Sequence, residues 1–295
     1  MADELVSALL RAEGLRVVLV LTGELSRRAR ELAGMRPGSA SLLSQGLTAG
    51  LLLAALQKER TRLNLQLECD GPLRGLFVDA STSGEVRGYV KNPLVEHIGG
   101  EGEFRWRPVL GNTGFLSVLR DQGGGEYYRS SVQLARFDLA ADLESFFADS
   151  EQIRTEVMLG AVAEGDEPLA VMGGLLLQPL PDGDKEALAA HGARLKAPGA
   201  FAAGLQVGTR SGAAAAVKAL FPGSELEVLA RYPVEFRCSC SKERVKNALL
   251  AMGRAELDDL LAKDGQAEVT CQFCSTRYTV SGEEIRRLLE AGRGS

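Results

Sequence analysis

FRCSCSKERVKNALLAMGRAELDDLLAKDGQAEVTCQFCSTRYTV, residues 236–280, holds four of the chain's five cysteines. Cys238 and Cys240 stand one serine apart; thirty residues later Cys271 and Cys274 stand two apart. A tetrahedral Zn²⁺ takes four soft ligands at about 2.3 Å, and two short cysteine pairs on separate segments supply such a set. No histidine lies nearby, so a metal site here is Cys₄, one ion per chain. Four free thiols are the other reading of the same residues. Between the pairs, VKNALLAMGRAELDDLLAKDG reads as two short amphipathic helices, one lined by Val245, Leu249 and Met252, the other by Leu257, Leu260 and Leu261. Asp264-Gly265 closes the second helix, and AEVTCQFCSTRYTV reads as a hairpin carrying the second pair. Ser281 with Glu284 forms a capping box for EEIRRLLE. Arg237, Lys242, Arg244, Lys246 and Arg277 are expected to offset the charge of four thiolates.

Residues 233–295 are too few for a self-sufficient core unless something staples them. That stretch carries ten Lys/Arg and ten Asp/Glu, a balance without the basic stripe that nucleic acid requires. The CxxC lies in a strand-like hairpin rather than at the start of a helix in a βαβ unit, which argues against a thioredoxin-like site. A redox switch fits better. Structural zinc contributes roughly 10–16 kcal/mol to folding. A disulfide closing three or four residues contributes only about 1.6–1.9 kcal/mol by loop entropy. Such local rings would tie each pair to itself, so oxidation would remove the staple without replacing it.

Outward from this tail, 295 residues suit two domains, and 45% hydrophobic with 25% charged residues is an ordinary globular composition. A net charge of −5 points away from nucleic acid and anionic membranes. MADELVSALL carries Asp3 and Glu4 where a secretory leader needs positive charge, and LRVVLVL and GLLLAAL are too short to span a bilayer. A cytoplasmic protein is expected, and in a reducing compartment paired cysteines favour metal or redox roles. LRVVLVLTG (15–23) reads as a buried strand, and ELSRRARELAG as a helix ending at Gly34. A second helix, capped by Ser39 or Ser41, is expected to reach about Glu59, with Gly46 and Gly50 admitting the close approach of another backbone. RLNLQLECD alternates, with Leu63, Leu65, Leu67 and Cys69 on one face, so Cys69 reads as a small core residue. LRGLFVDA, EVRGYVKNP, a hairpin around DQGGGE, a helix in DLAADLESFFADSEQ and a hairpin through Gly165-Asp166 follow. The pattern is α+β, with antiparallel strands in groups.

Three parts result: an α+β core domain at 1–180, a middle segment at 181–232, and the cysteine-bearing tail at 233–295. The middle segment is rich in alanine and glycine, with GAAAAVKALF its clearest helix. Its large apolar anchors are few: Leu188, Leu195, Phe201, Leu205, Val207, Val217, Leu220 and Phe221. It reads either as a metastable helical segment that folds only with a neighbour's support or as a plain linker. His97 and His191 read as surface or packing residues, Glu151 as part of a turn, and no nucleophile–base constellation emerges, so no enzyme is expected.

The 236–280 stretch resembles the zinc domain of the redox-regulated heat-shock holdases, the 33 kDa chaperonin family. GPLRGLFVDASTSGEVRGYVKNP, Ser150-Glu151-Gln152 and MGGLLLQPLP resemble its N-terminal domain, with Met172 where a smaller residue is expected. The resemblance implies an ATP-independent chaperone, inactive when reduced and zinc-loaded. It implies Cys238, Cys240, Cys271 and Cys274 as both zinc ligands and redox-active cysteines. Oxidative stress would join Cys238 to Cys240 and Cys271 to Cys274, release zinc and unfold the tail. The middle segment would then hold unfolding clients, with dimerisation in the active state. Cys69 matches no part of the motif. The rival reading is a constitutive zinc ribbon binding RNA or a protein partner.

Overall fold

Strands β1 (Glu4–Leu10) and β2 (Leu15–Leu21) pair antiparallel around a turn at Gly14. The computed structural model describes residues 3–57, 61–96, 106–123, 126–164 and 167–291. They fall into two compact units, Met1–Arg237 and Cys238–Ser295. β2 is LRVVLVL, apolar except at half-buried Arg16 because side chains on both of its faces are buried. Helix α1 (Gly23–Ala33) ends at Gly34 in the left-handed conformation, as the sequence predicts. Helix α2 (Pro37–Ala54) starts earlier than expected, because Pro37 presets the first helical position. Ser39 and Ser41 are therefore buried inside the helix rather than caps. The Ser39 hydroxyl donates to the Asn92 carbonyl at 2.8 Å and accepts from the Val95 amide at 3.1 Å. The helix stops at Ala54, short of the expected end near Glu59.

Strands β3 (Arg62–Cys69), β4 (Gly75–Ser81) and β5 (Glu85–Val90) precede a short helix α3 (Arg107–Leu110) and the hairpin β6 (Gly114–Gly123) and β7 (Glu126–Gln133). Leu63, Leu65 and Leu67 are buried as their alternation predicts, while Cys69 at the strand end is only half-buried. Helix α4 (Leu139–Phe146) runs into a π-helical turn at Phe147–Glu151, and β8 (Glu156–Glu164) and β9 (Glu167–Pro179) form the next hairpin. His97 and the Gly165-Asp166 turn lie outside the described residues. Helix α2 packs against both sheets of the unit. What approaches Gly46 and Gly50 is side chain, not the backbone expected. A Cβ at Gly46 would lie 2.7 Å from Leu76 Cδ1, and one at Gly50 2.6 Å from Val78 Cγ1.

The stretch 181–232 is built into the first unit. It forms α5 (Lys185–Lys196), α6 (Ala200–Ser211), α7 (Ala213–Leu220) and, unforeseen, strand β10 (Leu226–Pro233). The five-stranded sheet is ordered β10-β1-β2-β9-β8. The six-stranded sheet is β11-β5-β4-β3-β6-β7, where β11 is Glu235–Phe236 and pairs parallel with β5. The first unit thus continues to Arg237, whose amide donates to Val86 at 2.9 Å, and the tail begins at Cys238 rather than near 233. Leu188, Leu195, Phe201, Leu205, Val217, Leu220 and Phe221 are buried against Val6, Val17, Leu19 and Leu175 of the five-stranded sheet. The glycines of these helices are contact points: a Cβ at Gly204 would meet Leu220 at 2.3 Å, and one at Gly192 would meet Glu156 at 2.5 Å. Buried and half-buried carboxylates add polar ties. Glu4 of β1 accepts from the Ala213 amide at the start of α7 (2.6 Å) and from Arg231 of β10 (2.5 Å). Glu13 accepts from Ser224 at 3.2 Å and lies 2.7 Å from His191 Nε2, whose ring meets Phe221 edge-on.

The second unit contains α8 (Lys242–Met252), α9 (Arg254–Asp264), the hairpin β12 (Gln266–Thr270) and β13 (Arg277–Ser281), and α10 (Gly282–Ala291). Its core is small: Val245, Leu249, Leu257, Ala267, Val280 and Ile285 are buried, with Leu260 and Leu261 packed around them. Met252, expected to line α8's inner face, is 50% exposed because the helix ends there at Gly253. Gly265 closes α9 in the left-handed conformation. The capping box forms as expected: Ser281 Oγ accepts from the Glu284 amide at 3.3 Å, and Glu284 accepts from the Ser281 amide at 3.0 Å.

Candidate metal centre

Cys238 and Cys240 sit on an extended stretch that ends at Ser241, whose side chain caps α8 by accepting from the Arg244 amide at 3.2 Å. Cys271 and Cys274 occupy the turn between β12 and β13. The Cys271 amide donates to the Thr276 carbonyl at 2.9 Å, and the Ser275 amide donates back to Cys271 at 2.8 Å. Closing the turn puts Ser275 at φ 56°, in the left-handed region.

This folding gathers all four sulfurs within 4.8 Å of one another. Two of the contacts cross between the segments: Cys238 and Cys271 Sγ are 3.7 Å apart, Cys240 and Cys274 Sγ 3.3 Å. Tetrahedral zinc with bonds of about 2.3 Å would place sulfurs about 3.8 Å apart, so the donor set and its spacing fit such an ion. All four cysteines are half-buried.

The electrostatics of the cluster are uneven. Burial, reinforced by neighbouring sulfurs, pushes the Cys240 thiol up to about 12. Burial also raises Cys271, against the pull of the Cys274 and Phe273 amides. Cys274 is likewise opposed by burial, but hydrogen bonds from Thr276 and the neighbouring sulfurs bring it down to about 7. Four of the five cations expected to compensate the thiolates are engaged elsewhere. Lys242 and Lys246 both pair with Glu284, at 2.8 and 3.2 Å, and Lys242 leads in holding that carboxyl down to about 2. Arg237 pairs with Glu85 and Glu235 in the first unit, and Arg244 donates to Ser239. Two residues that sequence reasoning missed touch the sulfurs instead. Tyr278 Oη lies 3.0 Å from Cys240 Sγ, and Thr276 Oγ1 3.2 Å from Cys274 Sγ.

The other candidates are structural. Glu151 accepts from Arg120 at 2.6 Å at the end of the π-helical turn. Burial raises the Cys69 thiol above its ordinary value, which disfavours the reactive thiolate. No helix among the described residues is long and apolar enough to cross a membrane.

Fold and cluster together define an α+β protein whose small C-terminal unit carries a four-cysteine centre able to hold a metal ion. The family model described as Hsp33 protein matches residues 3–281. A 33 kDa chaperonin of Prochlorococcus marinus (strain MIT 9301) is 36% identical over 98% of this chain and 99% of its own. One from Geobacter sulfurreducens is 35% identical over 98% of this chain and 95% of its own. The crystal structure of the Thermotoga maritima 33 kDa chaperonin, a heat shock protein 33 homolog, superposes with a TM-score of 0.82 at 26% identity, covering 100% of this chain and 99% of that one. The chain belongs to the Hsp33 family of chaperones.

Proposed function

We propose that the protein is a redox-regulated, ATP-independent holdase of the cytoplasm, off when reduced and zinc-loaded and on when disulfide-bonded under oxidative stress. The observation that carries the reading is the gathering of four sulfurs from two segments within 4.8 Å, with contacts that cross from one segment to the other. Zinc bound by Cys238, Cys240, Cys271 and Cys274 supplies a cross-link between segments that the small apolar core cannot hold together alone.

Oxidation replaces that link with local ones. Each pair gives two electrons to one hydrogen peroxide; two thiolates, one peroxide and two protons yield a disulfide and two waters. Cys238 joins Cys240 and Cys271 joins Cys274, each ring leaving the other segment free. The tail then opens from Cys238, next to the 234–237 stretch. That stretch is held by amide bonds from Val234 to Asp3 (3.1 Å), Glu235 to Gly84 (3.0 Å) and Arg237 to Val86 (2.9 Å). Loss of those bonds frees β10 and, through the shared Glu4, α7. The apolar faces of α5–α7 and of the sheet beneath them become the surface that holds unfolded clients. Pairing of two opened copies follows the same exposure. Neither nucleic acid nor membrane is a partner.

A second pairing has its own observation, the 3.3 Å between Cys240 and Cys274. A disulfide there would keep the segments joined and the tail closed. Purified protein with and without peroxide and mild heating decides between them. The expected results are zinc release, disulfides mapped within each pair, faster hydrogen exchange over 185–230, and suppressed aggregation of a denatured client. A crossed disulfide, or retained zinc with activity independent of oxidation, refutes the switch and favours a constitutive zinc-ribbon module that binds RNA or protein.

A further inference from the structure

We infer that Tyr278 is a positioning residue for Cys240, its phenol holding that sulfur in the cluster across the two segments and slowing oxidant attack on it. The inference rests on the metal-centre reading above and adds a residue to it. Tyr278 stands on β13 opposite Val269, with its ring packed against the core of the second unit. That packing aims Oη out of the hairpin to within 3.0 Å of Cys240 Sγ, on the stretch before α8. Thr276 makes a similar contact at 3.2 Å, but to Cys274 of its own turn, so it cannot join the segments.

A metal-bound thiolate has no proton to give, so the phenol O–H is the donor and the sulfur the acceptor. Such a bond draws electron density from sulfur and fixes its direction. Loss of an outer partner of this kind typically costs about 10–100-fold in metal affinity. It also bears on the first oxidation step. Attack on hydrogen peroxide forms a bond from Cys240 sulfur to one peroxide oxygen as the O–O bond breaks, leaving a sulfenic acid and hydroxide. The neighbouring thiolate of Cys238 then displaces hydroxide to close the disulfide. Electron density donated into the O–H bond is unavailable for that attack.

The test is Tyr278→Phe, which keeps the ring and its packing, in the full chain. Zinc affinity is read by competition with a chromogenic chelator, and zinc release under excess peroxide is followed with time. Alkylation of each cysteine is resolved by mass spectrometry. Expected are binding of one zinc about tenfold more weakly, release several-fold faster, and a selective rise in Cys240 alkylation relative to Cys271. The cobalt(II)-loaded variant should show its sulfur-to-metal charge-transfer band at lower energy than wild type. Equal affinity and release in both proteins overturns the inference, as does an equal rise in alkylation at all four cysteines, which marks general loosening. Wild-type protein that binds no zinc overturns the metal-centre reading first, and this inference with it.

Discussion

Replacing Glu4 by Gln should loosen two elements at once. The Glu4 side chain is buried, and its two oxygens are divided between the Ala213 amide at the start of α7 and Arg231 of β10. The amide of glutamine keeps one acceptor. If that oxygen stays on Ala213, an NH₂ group faces the Arg231 guanidinium, and a charge-assisted hydrogen bond worth about 1.5–3 kcal/mol is lost. The Arg231 side chain is 56% exposed and can turn to water, which lowers the net cost to about 1–2 kcal/mol. That is roughly a 5–30-fold rise in the open population. Native-state hydrogen exchange of the reduced, zinc-loaded protein measures it. Amides of 213–220 and 226–233 should exchange faster by that factor, while those of β3 and β4 should not change. Peroxide activation should then need less heat. Unchanged exchange in both segments, or a change in β10 alone, would refute the idea that one carboxylate couples the strand to the helix.

Three further outcomes follow from packing and charge. Gly50→Ala places a Cβ 2.6 Å from Val78 Cγ1, so despite alanine's helix propensity denaturant unfolding should show a loss of about 1–2 kcal/mol. Asp3, whose carboxyl burial lifts from 3.8 to about 6, holds its proton more tightly when folded. Its favourable contribution is therefore complete below about pH 4 and lost as pH rises through 6, at most about 3 kcal/mol; Asp3→Asn should gain stability relative to wild type at pH 7.5 compared with pH 4 in thermal melts. Leu257→Ala empties a fully buried site in the small core of the second unit, at a cost of about 2–5 kcal/mol, and zinc-binding isotherms should show correspondingly weaker affinity.

The cysteine cluster was legible because metal geometry demands short spacings that a sequence displays directly. Its surroundings were not. Lys242 and Lys246 are near the cysteines in sequence, yet the capping geometry that fixes Glu284 draws both away from the sulfurs. Tyr278 reaches Cys240 only through the β12–β13 register, which opposes it to Val269, and no spacing rule reveals that. Strand β1 went unforeseen because Asp3, Glu4 and Ser7 interrupt the apolar residues there, a pattern that argues against a leader without revealing a strand paired on both sides. Strand β10 hid in ELEVLARY because it is an edge, leaving Val228 and Leu229 44% and 52% exposed. In α5–α7 composition counted glycines as an entropic cost, where the structure uses Gly192 and Gly204 for close packing.

In the proposed switch, the thirty residues that separate Cys240 from Cys271 would also govern recovery. Once each pair has closed on itself, a reductant alone returns four loose thiols on two distant ends of a flexible chain. Bringing those ends back together costs about 3 kcal/mol in loop closure before the constant term, and metal must be captured in the same event. The protein would therefore outlast its stimulus, with the supply of free zinc, as much as the reducing power of the cell, deciding when it falls silent.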